Sequence, residues 1–84
     1  MAPVDEVQAP VFHPHVYDRM YEKGIPEEAI YHVLGNYHTK RPAPRGRARP
    51  ADIYVGDYMG RNLKVYVARD TNPPLVTTVA WQGD

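Results

Sequence analysis

Asp52-Ile53-Tyr54-Val55-Gly56-Asp57-Tyr58-Met59-Gly60-Arg61-Asn62-Leu63-Lys64-Val65-Tyr66-Val67 carries alternating apolar residues on both sides of a turn-forming tetrad, Asp57 to Gly60. Ile53 and Val55 alternate with Tyr54 and Gly56, and Leu63, Val65 and Val67 alternate with Lys64, Tyr66 and Ala68. A period of two sends successive side chains to opposite faces of a strand, so the two runs predict an antiparallel hairpin. Lys64 and Tyr66 then share the face that the apolar set does not use, and that face is expected to stay open to solvent. Beyond the hairpin, Asp70-Thr71-Asn72-Pro73-Pro74 is a second turn. Leu75 to Trp81 is rich in β-branched and aromatic residues, as a last, largely buried strand is.

Upstream of the hairpin, Tyr37 to Arg41 predicts a short first strand, after which Pro42, Pro44, Gly46 and Pro50 exclude regular structure until about Asp52. Further back the period becomes helical. Val16 and Met20 stand four residues apart, with Phe12 before them and Tyr17 and Tyr21 beside them. They predict a helix opened by Pro14 and stopped after Lys23 by Gly24. In a second helix Pro26 suits the first position and Glu27 and Glu28 complement the positive end of the dipole. Ala29, Ile30, Val33 and Leu34 form its apolar stripe, and Gly35 closes it. Met1 to Pro10 has two prolines, two acids and little periodicity, and reads as a flexible N-terminal arm before a single domain over residues 11–84. Two helices followed by strands with short connections predict an α+β fold. In it, two N-terminal helices pack on one face of a roughly four-stranded antiparallel sheet.

Eighty-four residues allow one modest core, because a chain this short buries only about 60–65% of its unfolded surface. No stretch approaches the roughly 18–20 consecutive apolar residues of a membrane span, and the first ten residues have neither a basic nor an apolar region. A cytoplasmic protein without membrane contact is expected, and the absence of cysteine agrees with a reducing compartment. The net charge is zero but unevenly laid out: residues 1–39 hold two cations against six carboxylates, a balance of −4, and the remainder sits at +4. Five of the ten basic side chains fall between Lys40 and Arg49 with no acid among them. Within that loop Arg45, Arg47 and Arg49 alternate with smaller residues, a pattern that can track a nucleic-acid backbone or take an acidic protein partner, and equally serves as a solvated loop.

His15 and Arg19 stand four residues apart on the first helix and are therefore neighbours on one face. An imidazole that titrates near neutrality can move a proton, and a guanidinium beside it can hold a phosphate oxygen through a charged transition state. The ordinary reading of such a pair is a helix-surface histidine near an arginine. His13, His15, His32 and His38 match no metal-ligand spacing, and there is no phosphate-binding glycine loop and no serine nucleophile elbow. No metal and no cofactor are expected.

The segment His15-Val16-Tyr17-Asp18-Arg19-Met20-Tyr21-Glu22-Lys23-Gly24-Ile25, followed by Pro26-Glu27-Glu28 and an apolar helix to Leu34, resembles the opening motif of the domain-of-unknown-function 4258 family. Tyr54-Val55, the Leu63 to Val67 alternation and Val76-Thr77-Thr78-Val79-Ala80-Trp81 resemble its later strands, so the likeness covers roughly residues 12–81. That family is grouped with toxin-like ribonucleases of the RelE, barnase and colicin type. The resemblance implies metal-independent RNA cleavage by attack of a 2′-hydroxyl on the adjacent phosphate, in a toxin–antitoxin setting. It implies His15 as general acid or base and Arg19 as phosphate clamp. Under that reading the residues themselves offer Arg61, Lys64, Tyr66 and Arg69 as lesser candidates for substrate contact. RNA and an antitoxin are then the implied partners. The alternative is a non-catalytic module of the same fold that holds a protein or nucleic acid, or that pairs with a second copy through a free sheet edge.

Overall fold

The computed structural model describes residues 10–44, 50–69 and 71–83. The expected arm up to residue 9 and the loop arginines Arg45, Arg47 and Arg49 lie outside the described residues. The chain runs β1 (Val11–Phe12), α1 (Pro14–Lys23), α2 (Glu27–Asn36), β2 (Thr39–Pro42), β3 (Ala51–Tyr58), β4 (Arg61–Ala68) and β5 (Leu75–Trp81). The fold is α+β, and the sheet has five strands in the order β1-β5-β4-β3-β2. Four antiparallel strands were the expectation; the fifth, β1, pairs in parallel with β5 and makes the sheet mixed. Two residues are too few to show a period. What holds them is the backbone, Val11 N–H donating to the Pro74 carbonyl at 2.8 Å and His13 N–H to that of Val76 at 2.9 Å.

Local chemistry sets the ends of the elements. Pro14 opens α1, the His13 Nδ1 caps it by accepting from the His15 N–H at 3.1 Å, and Gly24 ends it at φ 66°. In α2 Pro26 is the cap rather than the first helical residue, and the helix runs through Gly35 to Asn36. The Asn36 side chain donates to the His32 carbonyl at 2.9 Å and so satisfies one carbonyl of the last turn. The hairpin turn is tighter than the expected tetrad: Tyr58 pairs directly with Arg61. Only Met59 at φ 51° and Gly60 at φ 88° bridge them. Positive φ at both central residues matches the twist of the flanking strands, so Asp57 and Tyr58 stay in the ladder. β2 begins two residues later than expected and includes Pro42, which an edge strand tolerates.

Register assigns the faces. Asp52, Tyr54, Gly56 and Tyr58 pair with Val67, Val65, Leu63 and Arg61, so these residues share one face of the sheet. Leu63 and Val65 pair with Trp81 and Val79, and a bulge beside Tyr66 and Val67 restores Val76 to the same side. The helices cover this face, α1 over β5 and α2 over β3 and β4. Val16, Ile30 and Val33 from the helices are fully buried against Leu63, Val65, Val76 and Val79, each side chain stabilising by about 1.5–3 kcal/mol. α2 sits close because Gly56 has no side chain. A Cβ there would lie 3.2 Å from Val33 Cγ1 and 3.3 Å from the Tyr37 Cα.

Ala51, Ile53, Val55, Lys64, Tyr66 and Ala68 occupy the opposite face, over which no described helix lies. It is not the solvent-open surface expected. Ile53 and Val55 are only 2% exposed, and Lys64 and Tyr66 are half-buried.

Candidate functional site

The residues singled out from sequence are dispersed. His15 is exposed on α1. Arg19 has its Nη1 4.0 Å from Glu22 Oε1, one turn on. Its Nε is buried with no acceptor among the described residues. Among the described residues no hydrogen bond joins His15 to Arg19, and the pair does not converge with the sheet cations. The expected substrate contacts are divided: Arg61 lies on the helix side by its register with Tyr58, Arg69 reaches Asp52 of that same face, and Lys64 and Tyr66 lie on the other. Arg69 donates from Nη2 to Asp52 Oδ1 at 2.7 Å, and this hydrogen bond holds the Asp52 carboxyl below its usual range.

A tighter constellation stands at the turn end of the hairpin. Glu28 and His32 lie one helical turn apart on α2, beside the buried stripe of Ala29, Ile30 and Val33. Tyr58, last residue of β3, reaches both: its hydroxyl donates to Glu28 Oε2, and its ring meets His32 edge-on with centroids 5.8 Å apart. Across the strand pair stands Arg61, whose guanidinium lies 4.2 Å from the centre of the Trp81 ring. Trp81 is fixed in turn, its indole N–H donating to the Lys23 carbonyl at 2.8 Å. The guanidinium lies over the indole and makes no ion pair among the described residues, so its N–H donors are not committed to a carboxylate there.

Its hydrogen bond to Glu28 pushes the Tyr58 phenol above its ordinary pKa, so it remains a protonated donor at neutral pH. Glu28, His32 and Arg61 are all exposed. One surface rim thus holds a carboxylate, an imidazole, a phenol and a guanidinium. Glu28, His32, Tyr58 and Trp81 were not anticipated as site residues. The Glu28–His32 spacing was visible, but the four-residue turn placed Tyr58 outside the ladder and concealed its pairing with Arg61.

The remaining histidines serve elsewhere. His38 Nδ1 lies 2.8 Å from Thr39 Oγ1 and Nε2 lies 3.2 Å from Asn62 Oδ1, so the ring ties the start of β2 to β4. Among the described residues no group of three or more His, Cys, Asp or Glu side chains could hold a metal ion, and no helix is long and apolar enough to cross a membrane.

No protein-family model, curated protein or solved structure matches this chain.

Proposed function

We propose that this chain is a toxin-like, metal-independent endoribonuclease with a RelE- or barnase-like fold, working at the rim formed by Glu28, His32, Tyr58 and Arg61. The observation that carries this reading is a carboxylate and an imidazole meeting at Tyr58, whose cross-strand neighbour Arg61 lies over Trp81 and makes no ion pair among the described residues. Cleavage by a neighbouring 2′-hydroxyl needs a base for that hydroxyl, an acid for the departing 5′-oxygen and cations or donors for the pentacoordinate phosphate. Glu28 supplies the base through Oε1, since Oε2 is occupied by Tyr58. His32 supplies the acid, and Arg61 and the Tyr58 phenol donate to the phosphoryl oxygens. The 2′-oxygen forms its bond to phosphorus as the 5′-oxygen leaves, so the products are a 2′,3′-cyclic phosphate and a 5′-hydroxyl.

The test is cleavage of end-labelled RNA in excess EDTA by wild type and single variants. His32→Ala and Glu28→Gln are expected to lose at least about a hundredfold in rate while keeping the wild-type fold. Loss with His15→Ala and Arg19→Ala alone moves the site to α1. A folded wild-type chain that cuts neither naked nor ribosome-bound RNA overturns the enzyme and leaves a binding module of the same fold.

A further inference from the structure

At the opposite end of the same sheet face, beyond the C-terminal turn of α2, lies a groove of about 220 Å³ lined by Pro10, Leu34, Tyr54, Val67 and Pro74. Sites that enclose a whole drug-sized ligand run to about 300–1,000 Å³, so this one has room for a single ring system. Its walls are apolar and its polar groups stand at two places on the rim. Asp52 follows on the same strand face as Tyr54 and pairs in register with Val67, so it adjoins two lining residues. Arg69 binds Asp52 Oδ1, which leaves Oδ2 as an acceptor. Lys40 pairs with Tyr54, its ammonium 5.2 Å from the ring centre and close enough to Asp52 for each charge to favour the other, and the ring is braced edge-on by Tyr37 at 4.8 Å. Lys40 makes no ion pair among the described residues.

We propose that this groove is a nucleotide pocket, in which one base lies between the apolar walls and Tyr54, its N–H edge meets Asp52, and its phosphate meets Lys40. An aliphatic ligand would use the walls and neither rim group; an aromatic amino-acid side chain would offer no anion to Lys40. A flat ring with N–H donors and an attached anion uses all of them. The site is separate from the rim of Glu28 and Arg61 and does not depend on RNA cleavage there.

The experiment is a titration of the 15N-labelled chain with the four 5′-mononucleotides, the matching nucleosides and inorganic phosphate. The amides of Leu34, Tyr54 and Val67 are followed. Nucleotides are expected to shift these signals saturably, nucleosides to shift them with weaker affinity, and phosphate alone to leave Leu34 and Val67 unmoved. Lys40→Ala, an exposed change, is expected to weaken nucleotide binding about tenfold and leave nucleoside binding unaltered. Tyr54→Leu is expected to remove both. Single-stranded RNA added to the His32→Ala chain identifies the source: displacement of the mononucleotide assigns the pocket to a residue of a strand, and no displacement assigns it to a free nucleotide. Absence of saturable shifts at millimolar nucleotide, or identical shifts with phosphate alone, overturns the proposal. A chain that binds nucleotides here and cuts no RNA keeps this inference and loses the proposed cleavage.

Discussion

The two ends of the helix-covered sheet face carry similar parts in different arrangements. At the turn end a carboxylate meets a phenol, Glu28 with Tyr58, and a cation lies on an aromatic ring, Arg61 on Trp81. At the open end a carboxylate meets a guanidinium, Asp52 with Arg69, and a cation again lies on an aromatic ring, Lys40 on Tyr54. The difference is which group neutralises the carboxylate. Where arginine does so, both charges are committed to each other. Where a phenol hydrogen-bonds the carboxylate instead, the neighbouring arginine makes no ion pair among the described residues and keeps its N–H donors. The open end thus keeps one carboxylate oxygen of Asp52 for a ligand, whereas the turn end keeps both a carboxylate and a guanidinium for a substrate.

Gly56 lies between the ends, on the same strand face as Tyr54 and Tyr58, and sets the height of α2 above both. The predictions below probe that arrangement. The largest effect is expected from Trp81→Ala, which empties the buried stack beneath Arg61 and should cost about 3–5 kcal/mol in denaturant unfolding. Tyr54→Ala, at a half-buried ring, should cost less; an equal cost would remove the contrast between the ends. Next comes Gly56→Val, expected to destabilise by about 1–3 kcal/mol because its methyls overlap Val33 and Tyr37. It should also shift the amides of Glu28 and His32 at one end and Leu34 at the other, and shifts at one end alone would break the link through α2.

The smallest effects are pH-dependent, and the two ends are expected to respond at opposite extremes. Arg69 lowers the Asp52 pKa, so that pair stabilises the fold above the ordinary carboxylate range and loses its contribution as pH falls through the folded value. The stability gap between wild type and Asp52→Asn should therefore be present at pH 7 and close in acid. Glu28 raises the Tyr58 pKa, so that contact stabilises below the ordinary phenol value of about 10 and loses its contribution as pH rises past it. Tyr58→Phe should flatten the alkaline limb of the stability profile. Both contacts lie at the surface, where solvent screening keeps them weaker than the core changes.

The helices and the hairpin were legible because apolar spacing and punctuation agree there: Val16 with Met20, Ala29 to Val33, Gly24 at a helix end and Gly60 at a turn. β1 was not, because two residues carry no period and its pairing with β5 spans nearly the whole chain. The placement of Val76, Val79 and Trp81 on one face required the bulge, which sequence alternation does not announce. In the site, a single turn length decided the reading. With Met59 and Gly60 alone in the turn, Tyr58 and Arg61 become cross-strand neighbours; with Asp57 and Tyr58 added, they do not. The pairing of Arg69 with Asp52 was not legible for another reason, since the two lie 17 residues apart on neighbouring strands.

The most direct test of the account compares cleavage rates of Arg61→Ala and Arg69→Ala on the same RNA in excess EDTA. The account predicts that Arg61→Ala falls by about a hundredfold to a thousandfold, while Arg69→Ala stays within about twofold of wild type, the range of a surface substitution. Equal losses, or a larger loss from Arg69→Ala, would contradict it.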